Sequence, residues 1–208
     1  MDIPSGTILE KKKATVKPVI KTTIGECAEI IPGVLPHGKP NQLARYSYTA
    51  VQPVQVTSNG LTGDFGTVTR DIPCADGQFL QDGDILIKRL NPDCAVVFHE
   101  HNEPVVASSN VFAIRTGEKL VPAFLAFLLE SSSLMQRIAQ RSGVETTVSA
   151  VTAQQIANCE IPLPPLELQH KLGELWKLNK KEEKLLRGLL AENARRLRAL
   201  CGTLHLQI

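Results

Sequence analysis

His99-Glu100-His101, with Cys94 just upstream, is the nearest this chain comes to a metal-binding set. A zinc protease wants two histidines one turn apart on the same face of a helix, with a glutamate between them. Three consecutive residues share no face of a helix or a strand. An exposed hairpin end accounts for the same triplet. Pro92-Asp93 opens the pattern of a metal-dependent nuclease, which needs an acid and a lysine two positions beyond it. Glu100 is followed at that distance by Asn102, so the pattern fails. Ser108, Ser109 and Cys74 have no base beside them in the sequence. No glycine-rich phosphate loop follows a strand, and no Gly-x-Ser-x-Gly elbow occurs. The expectation is no catalytic residue, no metal and no cofactor.

What the chain does carry is an abrupt change of pattern. In Ile161-Pro162-Leu163-Pro164-Pro165-Leu166-Glu167-Leu168-Gln169 a proline run ends one kind of structure and a helical pattern begins. Proline fixes φ and is tolerated in the first helical turn, so Pro164 and Pro165 mark a helix start. From there to Leu200 the chain has no further proline and two glycines, Gly173 and Gly188. Such a helix is roughly 50 Å long, more than a small domain covers. With Leu172 at heptad position a, Asn179, Leu186, Asn193 and Leu200 follow at a. Leu175, Glu182, Leu189 and Arg196 fall at d, and Trp176, Leu190 and Leu197 fall beside them at e. The seam is apolar with polar interruptions, which cost stability and fix register. It predicts a helix–helix contact through Leu172, Leu175, Trp176, Asn179, Leu186, Leu189, Leu190, Asn193, Leu197 and Leu200.

The elements before that helix are of another kind. Residues 1–20 have weak periodicity, and residues 22–32 are a short amphipathic helix or strand. Residues 45–56 alternate and read as a strand broken near Pro53; Asn59-Gly60 and Gly63-Asp64 are turn signals. Residues 81–90 read as a turn and an apolar strand, residues 94–99 and 105–115 as two more strands. Residues 121–141 have helical spacing, 152–157 form one helical turn, and 159–163 a last strand. The fold class is α+β. A composition of 43% hydrophobic and 21% charged residues suits a folded core. Five cysteines, an odd number without a C-x-x-C pair, suit reduced thiols in the cytoplasm. No apolar run is long enough for a membrane span, and no signal core follows Lys11-Lys12-Lys13. Net charge is only +2, yet residues 170–198 hold nine Lys/Arg against four Glu. A solvated helix face explains much of that excess.

Taken in order, a set of segments resembles a known family. They are Ile24-Gly25-Glu26 with Gly33; Gly83-Asp84-Ile85-Leu86-Ile87; Ser109-Asn110-Val111-Phe112-Ala113-Ile114-Arg115; Gly143 with Thr146-Thr147; and Pro164-Pro165 with Gln169. The chain resembles the specificity (S) subunit of type I restriction–modification systems, as one target-recognition domain followed by one spacer helix. The likeness implies a tail or edge segment at 1–21, a β-rich DNA-binding domain with a few helices at 22–164, and a spacer and dimerisation helix at 165–203. S subunits usually have two such halves. The resemblance therefore implies a homodimer whose long helices pack as an antiparallel coiled coil. A fragment of a longer subunit has the same sequence pattern. The implied partners are double-stranded DNA bearing a bipartite site, an adenine methyltransferase (M) subunit and a restriction (R) subunit; no membrane is involved. Candidate DNA-binding residues lie in the domain's loops: Lys39, Arg45, Tyr46, Asn59, Arg70, Lys88, Arg89, Ser109, Asn110, Arg141 and Thr146, with Asn41, Gln42, Tyr48, Ser108 and Thr147 near them. They are the donor types that read base edges and hold phosphates. Two readings stay open beside this one: a helical interaction or scaffold protein with no direct DNA role, and an enzyme within the β-rich domain.

Overall fold

The computed structural model describes residues 20–37, 45–99, 101–131, 134, 138 and 150–203. Its centre is a four-stranded antiparallel sheet in the order β2 (Ala28–Pro32), β10 (Val111–Thr116), β7 (Ile85–Lys88), β8 (Ala95–Val97). Side chains alternate across a strand, so a strand buried on both faces must be apolar throughout. Ile85, Ile87, Phe112 and Ile114 face one core, which they share with Phe124, Leu125, Leu129, Ile156 and Ile161. Leu86, Val111 and Ala113 face another, formed with Val51, Val56, Val105 and Ala107. The apolar run after Gly83-Asp84 is this doubly buried β7.

The second core is closed by a sheet in the order β6 (Gly66–Arg70), β3 (Tyr46–Val51), β9 (Val105–Ala107), in which β3 and β9 run parallel. A hairpin of β4 (Val56–Thr57) and β5 (Gly60–Leu61) lies beside it. The first core is closed by α1 (Ile24–Cys27), α2 (Pro122–Glu130) and α3 (Ala153–Ala157). β1 (Ile20–Thr23) pairs antiparallel with β11 (Glu160–Leu163), Ile20 opposite Leu163. The last element is α4 (Leu166–Thr203), 38 residues, or about 57 Å at the rise of an α-helix. The α+β class and the long C-terminal helix stand as the sequence predicts.

Three details differ. Residues 105–115 are two strands in two sheets, because Ser108, Ser109 and Asn110 carry the chain across: Ser108 donates its N–H to Val51 and accepts one from Val111. The helical stretch expected over 121–141 is interrupted after Glu130, where the Ser131 hydroxyl (2.6 Å) and N–H (3.1 Å) both donate to the Leu128 carbonyl, and Leu134 and Ile138 beyond the break are again helical. Beyond it Leu134 and Ile138 are buried in the first core. Residues 22–32 are a strand end, a helical turn and a second strand. Among the described residues, no helix is long and apolar enough to cross a membrane.

Candidate nucleic-acid interface

The described candidates gather into two patches. The first is at the start of β3 and the end of β6, where Tyr46 and Arg70 are register partners. The Tyr46 ring stacks on Tyr48 at 6.4 Å, and the Tyr48 hydroxyl accepts the Cys74 N–H at 3.0 Å. Arg70 donates to the Cys74 sulfur at 3.5 Å, while its buried Nε has no hydrogen-bond partner. The unpaired Nε is itself sealed from solvent, so what the patch offers an anionic or base-edge acceptor is its exposed and partly exposed phenols beside a half-buried guanidinium. Arg45 is exposed next to them.

The second patch joins the end of β7 to the turn between β9 and β10. Arg89 donates its N–H to the Asn110 carbonyl (2.8 Å), and Val151 donates to Arg89 (2.9 Å). Asn91, at φ 47°, turns the chain away in the left-handed region that asparagine tolerates. Lys88 is committed: it pairs with Asp93 at 2.7 Å. Burial works against the Asp93 carboxylate, but the Lys88 hydrogen bond and charge prevail and hold it below the usual aspartate range. Arg89, exposed and without an ion pair among the described residues, is the better placed of the two cations.

An extended stretch links the patches. Val34 bridges Ser108 and His37 bridges Arg70, so roughly 10 Å of chain separates them. Gly33 permits this path, since a Cβ there would fall onto the Ser108 carbonyl. Lys39, Asn41 and Gln42 lie outside the described residues, in the segment that leaves at His37 and returns at Arg45. Arg141, Thr146 and Thr147 also lie outside them, in the segment that returns at Ala150, which bridges Leu90. Asn59 belongs to neither patch: on the β4–β5 hairpin, its side chain accepts from Arg187 of α4 at 2.6 Å.

The long helix is locked to the head at its first turns. Pro165 precedes it, and its carbonyl accepts from Leu168 and Gln169. The Gln169 side chain is buried (1% exposed) and makes three bonds: from Val121 N–H at 2.9 Å, to the Lys119 carbonyl at 3.1 Å and to the Pro164 carbonyl at 2.8 Å. A Cβ on Gly173 would lie 2.9 Å from that of Ala123, so α4 and α2 approach where only glycine fits. The Trp176 indole donates to Glu130 at 2.8 Å, and Lys180 pairs with the same carboxylate at 2.7 Å. Trp176 and Leu172, expected on the seam, instead pack on the head's own core. Two tertiary roles were missed in the sequence, those of Glu130 and of the Arg115–Asp84 pair; Gln169 stood out only by its place after the prolines.

The other seam residues do form one stripe. At about 100° per residue, Leu175, Asn179, Leu186, Leu189, Leu190, Asn193, Leu197 and Leu200 fall within an arc of about 100° on α4. Its leucines are 54–70% exposed, on a face turned away from Gln169 and Lys180.

Residues 17–184 match the family described as Type I restriction modification DNA specificity domain. No curated protein matches the chain. Among solved structures, the HsdS subunit from Thermoanaerobacter tengcongensis aligns at a TM-score of 0.60 and 20% identity, over 91% of this chain and 44% of that one. A chain from a structure concerned with complex assembly and conformational transition of the type I R-M system aligns at 0.63 and 19%, over 91% and 45%. The type I restriction–modification S subunit from M. genitalium aligns at 0.52 and 12%, over 88% and 45%. The chain thus spans less than half the length of each, and at these identities the likeness is one of fold.

Proposed function

The chain belongs to the type I restriction modification DNA specificity domain family, and we propose that it is a DNA-recognition subunit that carries out no chemistry of its own. Residues 22–164 act as the reading head and residues 165–203 as the rod. The two patches, Arg45, Tyr46 and Arg70 on one side and Arg89, Ser109 and Asn110 on the other, present the donors to a duplex. Two copies join through the leucine stripe with their rods antiparallel, which sets two heads at opposite ends and calls for a bipartite, inverted-repeat site. A methyltransferase subunit supplies adenine methylation and a restriction subunit supplies cutting, in the cytoplasm. The observation that favours this arrangement is the exposed leucine stripe on a helix whose other face is already locked to its own head. Contiguous apolar surface of that extent marks an interface.

The test is the mass of the full chain in solution by light scattering, followed by selection of bound duplexes from a random pool with the methyltransferase subunit present. Two chains per particle and a recovered site with two inverted halves at constant spacing are expected. Leu186→Lys with Leu189→Lys should give monomers whose heads melt as in the wild type. A monomeric wild type would end the dimer proposal, and a pool without enrichment the DNA-recognition proposal.

A further inference from the structure

The rod has a third face, opposite the leucine stripe. Counted at about 100° per residue, Lys177, Lys180, Lys181, Lys184, Arg187, Arg195 and Arg198 all fall within an arc of about 120°. None of the glutamates of α4 (Glu167, Glu174, Glu182, Glu183, Glu192) falls in that arc. Acids reach in from outside it to pair with some of the cations: Glu174 with Lys177 at 2.8 Å, Glu130 with Lys180 at 2.7 Å, Glu183 with Arg187 at 3.6 Å and Glu192 with Arg195 at 2.7 Å. Lys181, Lys184 and Arg198 have no ion pair among the described residues.

The near half of this face borders a cleft of about 540 Å³ between rod and head. Lys177, Lys180, Lys181 and Lys184 line its rod side and Ser58 and Asn59 its hairpin side, while Leu61, Phe65, Val97, Phe98 and Trp176 give it an apolar part. Arg187 closes one end by donating to Ser58 at 2.9 Å and to Asn59 at 2.6 Å. The ammonium groups and the polar hairpin tip are the part of the cleft that suits a polyanion; its apolar part belongs to the contact between rod and head.

We propose that this flank is a sequence-independent track for the sugar–phosphate backbone of duplex DNA lying between the two half-sites, with the cleft holding the phosphates nearest the head. The proposal rests on the DNA-recognition role above and adds a second contact surface to it. Charge sign alone would fit an acidic protein as well; composition decides between them. Protein interfaces are depleted of lysine at their centre and anchored by apolar and aromatic side chains. On the outer half of this arc the uncharged positions are Gly188, Ala191, Ala199 and Gly202, which offer no large apolar anchor. Most of the rod's exposed leucines lie on the opposite stripe, with Leu178 and Leu185 between that stripe and the basic arc, so a second rod docked on the stripe leaves the basic flank open. Exposed ion pairs such as Lys177–Glu174 are weak and yield to a phosphate at little cost.

The experiment titrates the full chain with a labelled duplex of mixed sequence over a series of salt concentrations, for wild type, Lys181→Ala/Lys184→Ala/Arg198→Ala, and the arginine-conserving Lys181→Arg/Lys184→Arg. Each lost phosphate contact lowers the slope of log K against log salt by about 0.9, so the triple variant should lose about 2 to 3 units of slope and the arginine variant almost none. The loss should be the same on any duplex, whereas Arg89→Ala should change the preference among selected sites. A triple variant with wild-type slope overturns the track and leaves DNA recognition by the heads standing. A wild type that binds no duplex, alone or with the methyltransferase subunit, overturns the recognition role itself. A triple variant that keeps its slope but no longer co-purifies with the methyltransferase subunit makes the flank a protein surface and also overturns the track.

Discussion

Head and rod solve the same problem, satisfying charge and apolar surface, in opposite ways. In the head, Arg115 forks onto Asp84 with bonds of 2.9 and 2.7 Å and bonds the Phe79 carbonyl at 2.8 Å, while Asp84 is 1% exposed and also accepts the Gln81 N–H. Every group of that cluster depends on the others. On the rod, pairs such as Lys171–Glu167 (2.6 Å) are open to solvent, and leucines are left uncovered. The head buries its charge and apolar surface within itself and against the first turns of the rod, whereas the outer rod keeps both at its surface. Ion pairs are therefore a poor guide to stability until burial is known: a buried fork is costly to break, an exposed pair contributes about 0–1 kcal/mol.

The sharpest way to break the comparison is to remove one cation from each region. Arg115→Ala leaves the Asp84 carboxylate buried without its partner, and should cost about 3–5 kcal/mol in denaturant unfolding of the head. Lys171→Ala should cost no more than about 1 kcal/mol. Equal effects would mean that the buried fork is not what holds the Gln81–Asp84 turn against β10.

A smaller effect on unfolding of the head itself is expected at the joint between the regions. Gln169→Leu removes three hydrogen bonds and leaves the Val121 N–H and two carbonyls without partners, each a loss of about 1–3 kcal/mol at most. Much of it should appear as a loosened joint and not as an unfolded head. Small-angle scattering should show a broader spread of head-to-rod arrangement, and site selection should tolerate more than one spacing between half-sites. A Gln169→Leu protein with wild-type scattering and a single spacing would show that Gly173 and Trp176 suffice to hold the angle.

The rod was readable from the sequence because a helix is a local object. The absence of proline after Pro165 and the leucines at heptad spacing fix its extent and its stripe without reference to the rest of the chain. Strand β7 was readable because Ile85, Leu86 and Ile87 form a short apolar run directly after the Gly83-Asp84 turn, the pattern of a strand buried on both faces. The boundary between β9 and β10 was not, since both sides of Ser108-Ser109-Asn110 are apolar and only tertiary pairing assigns them to different sheets. The same limit governs the side chains. Lys88 and Arg89 are equivalent in sequence, and Asp93 takes one of them. Trp176 falls on the predicted seam, yet Glu130, 46 residues away, bonds its indole to the head. Periodicity finds which residues share a face; it does not find which face another element has already taken.

Cys94 has no pH-dependent effect near neutrality, where its thiol is protonated in both states, and it tests burial within the head alone. Its thiol is 1% exposed and points at the Val56 carbonyl (3.7 Å). Burial, reinforced by the hydrogen bond and charge of Asp93, pushes its pKa from 9.0 to about 12. A folded pKa above the unfolded one means that the native state holds the proton more tightly. The contribution is then full below about pH 9 and is lost as pH rises toward 12, at no more than about 1.4 kcal/mol per pH unit. Other groups titrate in that range, so the measurement is the difference in stability between wild type and Cys94→Ala as pH is raised. The gap should shrink steadily above pH 9 and be flat below it. A gap that stays constant through the alkaline range would mean that the thiolate is no worse accommodated in the folded head than in the unfolded chain, and that water reaches the second core beside β8.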